Sequence, residues 1–157
     1  MGLTIARFFS LLFAALALAP ALAHLLELPN KIGLSRDDYL TVQQIYRGWA
    51  LLGFVVAGAL LSTLILSIMV RKGSTEFALA LVAFICIVGT QVVFWTFTFP
   101  PNQQTSNWTV LPENWIALRA QWEYSHAASA VLNLIALIAL ILSVLIRDKA
   151  SHEGVNA

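Results

Sequence analysis

Apolar positions fall into four long runs, Leu3 to Leu28, Tyr46 to Val70, Thr75 to Phe99 and Trp115 to Ile146, set apart by short polar stretches. A hydrocarbon core about 30 Å thick needs roughly 20 apolar residues of helix, and each run supplies that length. The expected fold is therefore all-α: an integral membrane four-helix bundle of up-down-up-down topology, a single domain over residues 1–157, with residues 147–157 as a polar tail. Pro29 closes the first run, and "RKGS" at 71–74 makes a tight turn after the second. In the connection before span two, Ser35 and Asp38 have capping-box spacing, and "DDYLTVQQIYRGW" is expected to wind directly into that span as one long helix. After span three, Pro100, Pro101 and Pro112 are expected to forbid a continuous helix, while Trp108 and Trp115 suit an interfacial aromatic belt.

Residues 1–23, "MGLTIARFFSLLFAALALAPALA", also fit a cleavable signal peptide, with Ala21-Leu22-Ala23 as the small-residue site. Cleavage would leave three spans and a free amine beside the His24 imidazole, a pair able to chelate copper. The segment is expected to stay uncleaved as the first helix of four.

Composition agrees with the pattern. The chain is 59% hydrophobic and 11% charged, whereas soluble domains are about one-quarter charged. The lipid bilayer is thus the expected partner. A net charge of +1 without a basic cluster argues against nucleic acid. The one cysteine, Cys86, lies inside the third run and reads as a small apolar packing residue. Arg7, Arg71, Lys72, Arg147 and Lys149 flank the spans on the side shared by both termini. The positive-inside rule makes that side cytoplasmic and suits a bacterial inner membrane. Lys31, Arg36, Arg47 and Arg119 lie opposite, partly offset by Asp37, Asp38 and Glu113. Asn107-Trp108-Thr109 matches a glycosylation sequon, which has meaning only in a eukaryotic secretory chain.

Ionisable residues in a membrane helix cost about 2.5–3.5 kcal/mol each, so they face the bundle interior and need partners. Span one ends with His24 and Glu27; span four begins with Arg119, Glu123 and His126 on one face, with Asn133 deeper. The i,i+3 spacing puts each His/Glu pair on one side of its helix, and antiparallel neighbours would bring His24 level with His126 and Glu27 level with Glu123. Gln91, Trp95 and Thr98 form a stripe on span three, and Gln43, Gln44 and Arg47 reach the same end from span two.

His24, Glu27, Glu123 and His126 make a chemically adequate metal set for iron, manganese or zinc. A mononuclear transition metal fits better than a dinuclear one, because the two further carboxylates of di-iron bundles are missing. The two histidines alone would suffice as axial ligands of a haem. A non-chemical alternative is a salt-bridged layer in which Arg119 and Arg47 pair with Glu27 and Glu123.

"HLLELPNK", "YLTVQQIYRGWALLG" and "NWIALRAQWEYSHAASAVLNLIAL" together give the chain, over nearly its whole length, a pattern that resembles the anthrone oxygenase-like group of small four-helix membrane proteins. The resemblance implies an oxidoreductase or oxygenase acting on a small apolar aromatic, phenolic or anthrone-like, substrate reached from the bilayer. It assigns no residue roles. From depth alone, Glu123 is the expected base or metal ligand, His24 and His126 ligands or proton relays, and Arg119 the group that stabilises an anionic oxygen. The rival class is a non-enzymatic membrane scaffold or accessory subunit.

Overall fold

The computed structural model describes residues 2–153, with side chains described for all of these except Ser74 and residues 147–153. Their regular structure is entirely helical: α1 (Gly2–Lys31), α2 (Arg36–Gln43), α3 (Gly53–Met69), α4 (Ser74–Val93), α5 (Phe99–Gln104) and α6 (Trp115–Glu153). Four stretches are long and apolar enough to cross a membrane: Gly2–Lys31, Trp49–Met69, Thr75–Gln104 and Trp115–Ile146. The shortest has 21 residues, about 32 Å of helix at 1.5 Å per residue. Large apolar side chains such as Leu51, Phe54, Leu61, Ile85 and Val92 point outward. That is the pattern of a surface solvated by lipid.

α1 packs on α3 and α6, and α4 packs on the same two helices, which closes a ring of four. Small residues line its centre, with Ala14, Ala59, Ala80, Ala83 and Ala136 buried around Leu66, Ile87 and Leu140. They let the backbones approach closely. Gly58 makes room for Phe13, because a Cβ at that position would lie 2.6 Å from the Phe13 ring. Four buried hydroxyls are satisfied locally, with Ser10, Thr63, Ser67 and Thr90 each donating to a carbonyl one turn back. Arg7 and Glu76 pair at 3.2 Å between α1 and α4.

Three expectations from sequence give way. Residues 37–49 do not run into span two as one helix. Ser35 caps α2 as its spacing predicts, accepting from the Asp38 backbone N–H, but Arg47 is extended and Gly48 adopts φ 89°. The left-handed glycine breaks the helix and turns Tyr46 toward α1.

Nor do Pro100 and Pro101 stop span three, which continues through α5 to Gln104. A π-helical turn at Phe94–Thr98 precedes them, placing proline in the first turn of a new helical segment, where no N–H is needed. The Phe97 carbonyl, which Pro101 has no N–H to bond, accepts instead from Gln121 Nε2 at 3.0 Å.

Trp108 is not a belt residue: it is buried. Ser106, Asn107 and Trp108 all have positive φ (48°, 56° and 58°), at a cost of about 1–2 kcal/mol per residue. Thr105 Oγ1 accepts from the Trp108 N–H, and Asn102 Oδ1 accepts from the indole N–H groups of both Trp108 and Trp122. These bonds pin Trp108 between Tyr39 and Trp122. At the other end, α6 continues into the polar tail as far as Glu153, and residues 154–157 lie outside the described residues.

Candidate functional site

Lys31 occupies the last turn of α1, one turn beyond Glu27 on the same face. Its side chain is 4% exposed. Nζ donates to Tyr46 OH at 2.7 Å and lies 3.1 Å from Glu123 Oε1 and 3.6 Å from Glu27 Oε2. One ammonium thus bridges two carboxylates from different helices. Each carboxylate also accepts from a tyrosine: Tyr39 OH donates to Glu123 Oε1 at 2.9 Å, and Tyr46 OH donates to Glu27 Oε2. Glu123 and Tyr39 are wholly buried. Ion pairing and hydrogen bonding together compensate for the loss of water around these charges.

The histidines lie alongside. His24 and His126 stack with ring centroids 4.1 Å apart and planes 27° from parallel. Tyr46, Trp49 and Trp122 enclose His24 at 4.4, 5.5 and 5.0 Å. Depth matching therefore places both His/Glu pairs in one cluster. Buried polar atoms without a hydrogen-bond partner include His24 Nδ1, Glu123 Oε2, Arg119 Nε and both amide atoms of Gln43.

The remaining predicted residues divide. Arg119 does not reach Glu123; its Nη1 donates to Leu34 O at 2.8 Å, and its guanidinium lies over the Tyr39 and Trp115 rings. Arg47 bonds Gln44 instead of a carboxylate. The salt-bridged layer is real, but Lys31 makes it rather than either arginine. On span three Thr98 joins Ser125 at 2.7 Å, Gln91 bonds its neighbour Thr90, and Trp95 faces outward. The π-helical turn adds a residue between them and rotates Trp95 off the stripe.

The donors do not fit a metal. Among the described residues, no three His, Cys, Asp or Glu side chains come close enough together to hold one. The expected set of His24, Glu27, Glu123 and His126 fails because Lys31 stands between the carboxylates, supplying the positive charge a cation would bring. Haem fits no better: the imidazoles meet face to face, whereas axial ligands must aim ring nitrogens at a shared iron.

Burial pushes the Tyr39 hydroxyl above its ordinary value, and the charge and hydrogen bond of Glu123 push it further. Burial does the same to Tyr46, aided by its bond to Glu27 and then by that group's charge. Both therefore stand as hydrogen-bond donors at neutral pH.

Lys31, Tyr39, Tyr46 and Trp49 join the cluster without being among the expected site residues. Two signals point to them: Lys31 follows Glu27 at i+4, and Tyr39 and Tyr46 are seven residues apart, on one face of any helix through them. Two surface clefts are present, neither lined by a residue of the cluster. One, of about 390 Å³, lies between Val93, Phe97, Gln121 and Tyr124; the other, of about 340 Å³, lies between Leu40, Gln44, Arg47 and Thr109. The chain matches no family model, no curated protein and no solved structure, so the chemistry rests on this geometry.

Proposed function

We propose that the chain is an up-down-up-down four-helix protein of a bacterial inner membrane, with both termini cytoplasmic. Its outward-lying cluster carries oxidoreductase or oxygenase chemistry on a small aromatic or phenolic molecule drawn from the bilayer. The observation that carries this reading is Glu123 Oε2, a fully buried carboxylate oxygen without a partner. Its companion oxygen is held by Tyr39 and Lys31. A carboxylate fixed on one side and free on the other is arranged to accept a proton.

A phenolic O–H, or the acidic C–H of an anthrone, would give its proton to Oε2 and keep the bonding electron pair. The Lys31 ammonium stabilises the anion so formed. That electron-rich anion is what dioxygen, as the oxidant, would then oxidise. A flat substrate would have to part the rings of His24, Trp49 and Trp122, which pack on one another at rest, and would replace those contacts by stacking of its own. No step needs a metal.

One observation favours a purely structural role: Lys31 already neutralises the carboxylates without any ligand. Oxygen uptake by the purified protein with anthrone and with simple phenols decides between the two. Catalysis requires uptake in the parent that Glu123→Gln abolishes. No uptake, together with a Glu123→Gln effect confined to melting temperature, would leave the scaffold reading.

A further inference from the structure

Lys31 joins two tyrosine–carboxylate pairs that differ in access to the outside. Glu123 and Tyr39 are wholly buried, whereas the Glu27 side chain is 36% exposed near the end of α1. Between them the polar contacts run without a gap. Lys31 Nζ pairs with Glu123 Oε1 at 3.1 Å and donates to Tyr46 OH at 2.7 Å, and Tyr46 OH donates to Glu27 Oε2. The other groups around Glu123 make no hydrogen bond to an exposed acid or base among the described residues. Tyr39 is buried on all sides, Arg119 is committed to Leu34 O, and His24 and His126 stack on each other.

We infer that this line is a proton path, and that Glu27 is its outer terminal, returning to water the proton that Glu123 collects. The inference rests on reading Glu123 as the proton acceptor of the proposed reaction. After Oε2 takes a proton, a half-turn of the carboxyl group presents the O–H to Lys31. That proton passes to Nζ as Lys31 passes one of its own to the Tyr46 oxygen and Tyr46 passes its hydroxyl proton to Glu27 Oε2. Lys31 and Tyr46 each end with the protons they began with. One proton moves from Glu123 to Glu27, and no electron is transferred. Glu27 and Tyr46 are accordingly positioning residues that act through Lys31.

The path is testable on the resting protein. In full-length chain labelled with nitrogen-15 lysine and held in detergent micelles, the exchange of the Lys31 ammonium hydrogens with water is read by nuclear magnetic resonance. Glu27→Gln and Tyr46→Phe should each slow it by at least about ten-fold relative to the parent, while Glu27→Asp stays close to the parent. Added formate should restore exchange in Glu27→Gln by replacing the missing carboxylate, and should do nothing for Tyr46→Phe. A merely structural ion pair does not respond to formate. Unchanged exchange in either slow variant, with helical circular dichroism intact, overturns the path, as does failure of formate to rescue. If Glu27→Gln misfolds, Tyr46→Phe, which keeps the ring, and Glu27→Asp decide the matter. Because no substrate is present, absence of oxygen uptake counts against the proposed reaction and leaves this measurement standing.

Discussion

Lys31 Nζ stands 3.1 Å from Glu123 Oε1, joining the last turn of α1 to the first turns of α6 through a contact that excludes water. A lone ammonium or a lone carboxylate at this depth would be costly; together they can stay charged. Removing one partner therefore harms the fold more than removing both. Lys31→Met should destabilise the protein by about 3–5 kcal/mol, because it leaves Glu123 buried and unpaired. Adding Glu123→Gln to Lys31→Met should recover part of that loss. Thermal unfolding of the two single variants and the double variant in one detergent measures the coupling; strict additivity would mean the pair is not coupled.

A second expectation concerns alkaline pH. Tyr39 and Tyr46 are raised above the ordinary tyrosine value, chiefly by burial. Their protonated state thus favours the folded chain fully below about pH 10, and that contribution fades as pH rises through the raised folded values. Melting temperature should fall as pH climbs above about 10, and a Tyr39→Phe/Tyr46→Phe double variant should show a shallower fall. Ultraviolet absorbance of tyrosinate, followed through the same titration, should show two fewer groups ionising in the folded protein than in the unfolded one.

How far the sequence discloses this arrangement depends on the length scale of the cause. Four apolar runs are local features, and all four helices appear. The convergence of His24 with His126, and of Glu27 with Glu123, follows from helical rise and antiparallel packing, both regular. What stayed hidden depends on irregular backbone. Gly48 turns Tyr46 inward, the left-handed turn at Ser106–Trp108 buries an indole, and the π-helical turn at Phe94–Thr98 lets span three pass two prolines. Pro29 reads as the end of the first run, which would leave Lys31 outside the helix; in the structure α1 extends two residues beyond the proline. That extension places the lysine one turn from Glu27, and so changes which cation completes the cluster.

Packing at the centre of the bundle gives a third expectation. A Cβ on Gly58 would meet the Phe13 ring at 2.6 Å, whereas one on Gly53 meets nothing within 4 Å. Gly58→Ala should therefore destabilise by about 1–3 kcal/mol through overpacking. Gly53→Ala should be neutral or stabilising by up to about 1 kcal/mol, since its backbone is already helical. Combining Gly58→Ala with Phe13→Leu frees the space and should restore much of the melting temperature; if it does not, Phe13 is not the obstacle.

The last expectation separates the chemical role of His24 from its packing. Its imidazole lies among Tyr46, Trp49, Trp122 and His126, and Nδ1 is buried without a partner. A buried nitrogen left unbonded destabilises the resting fold, and a bound substrate would supply its missing partner. His24→Phe keeps an aromatic ring in the box and removes both nitrogens. Melting temperature should then hold or rise, because an unsatisfied polar atom has been replaced by carbon, while oxygen uptake with anthrone should be lost. His24→Ala, which also empties the box, should lower stability by about 2–4 kcal/mol, in the range of large-to-small core substitutions. If His24→Phe retained full uptake, the ring would be packing alone, and the proton chemistry of the cluster would belong to Glu123, Lys31 and the tyrosines without it.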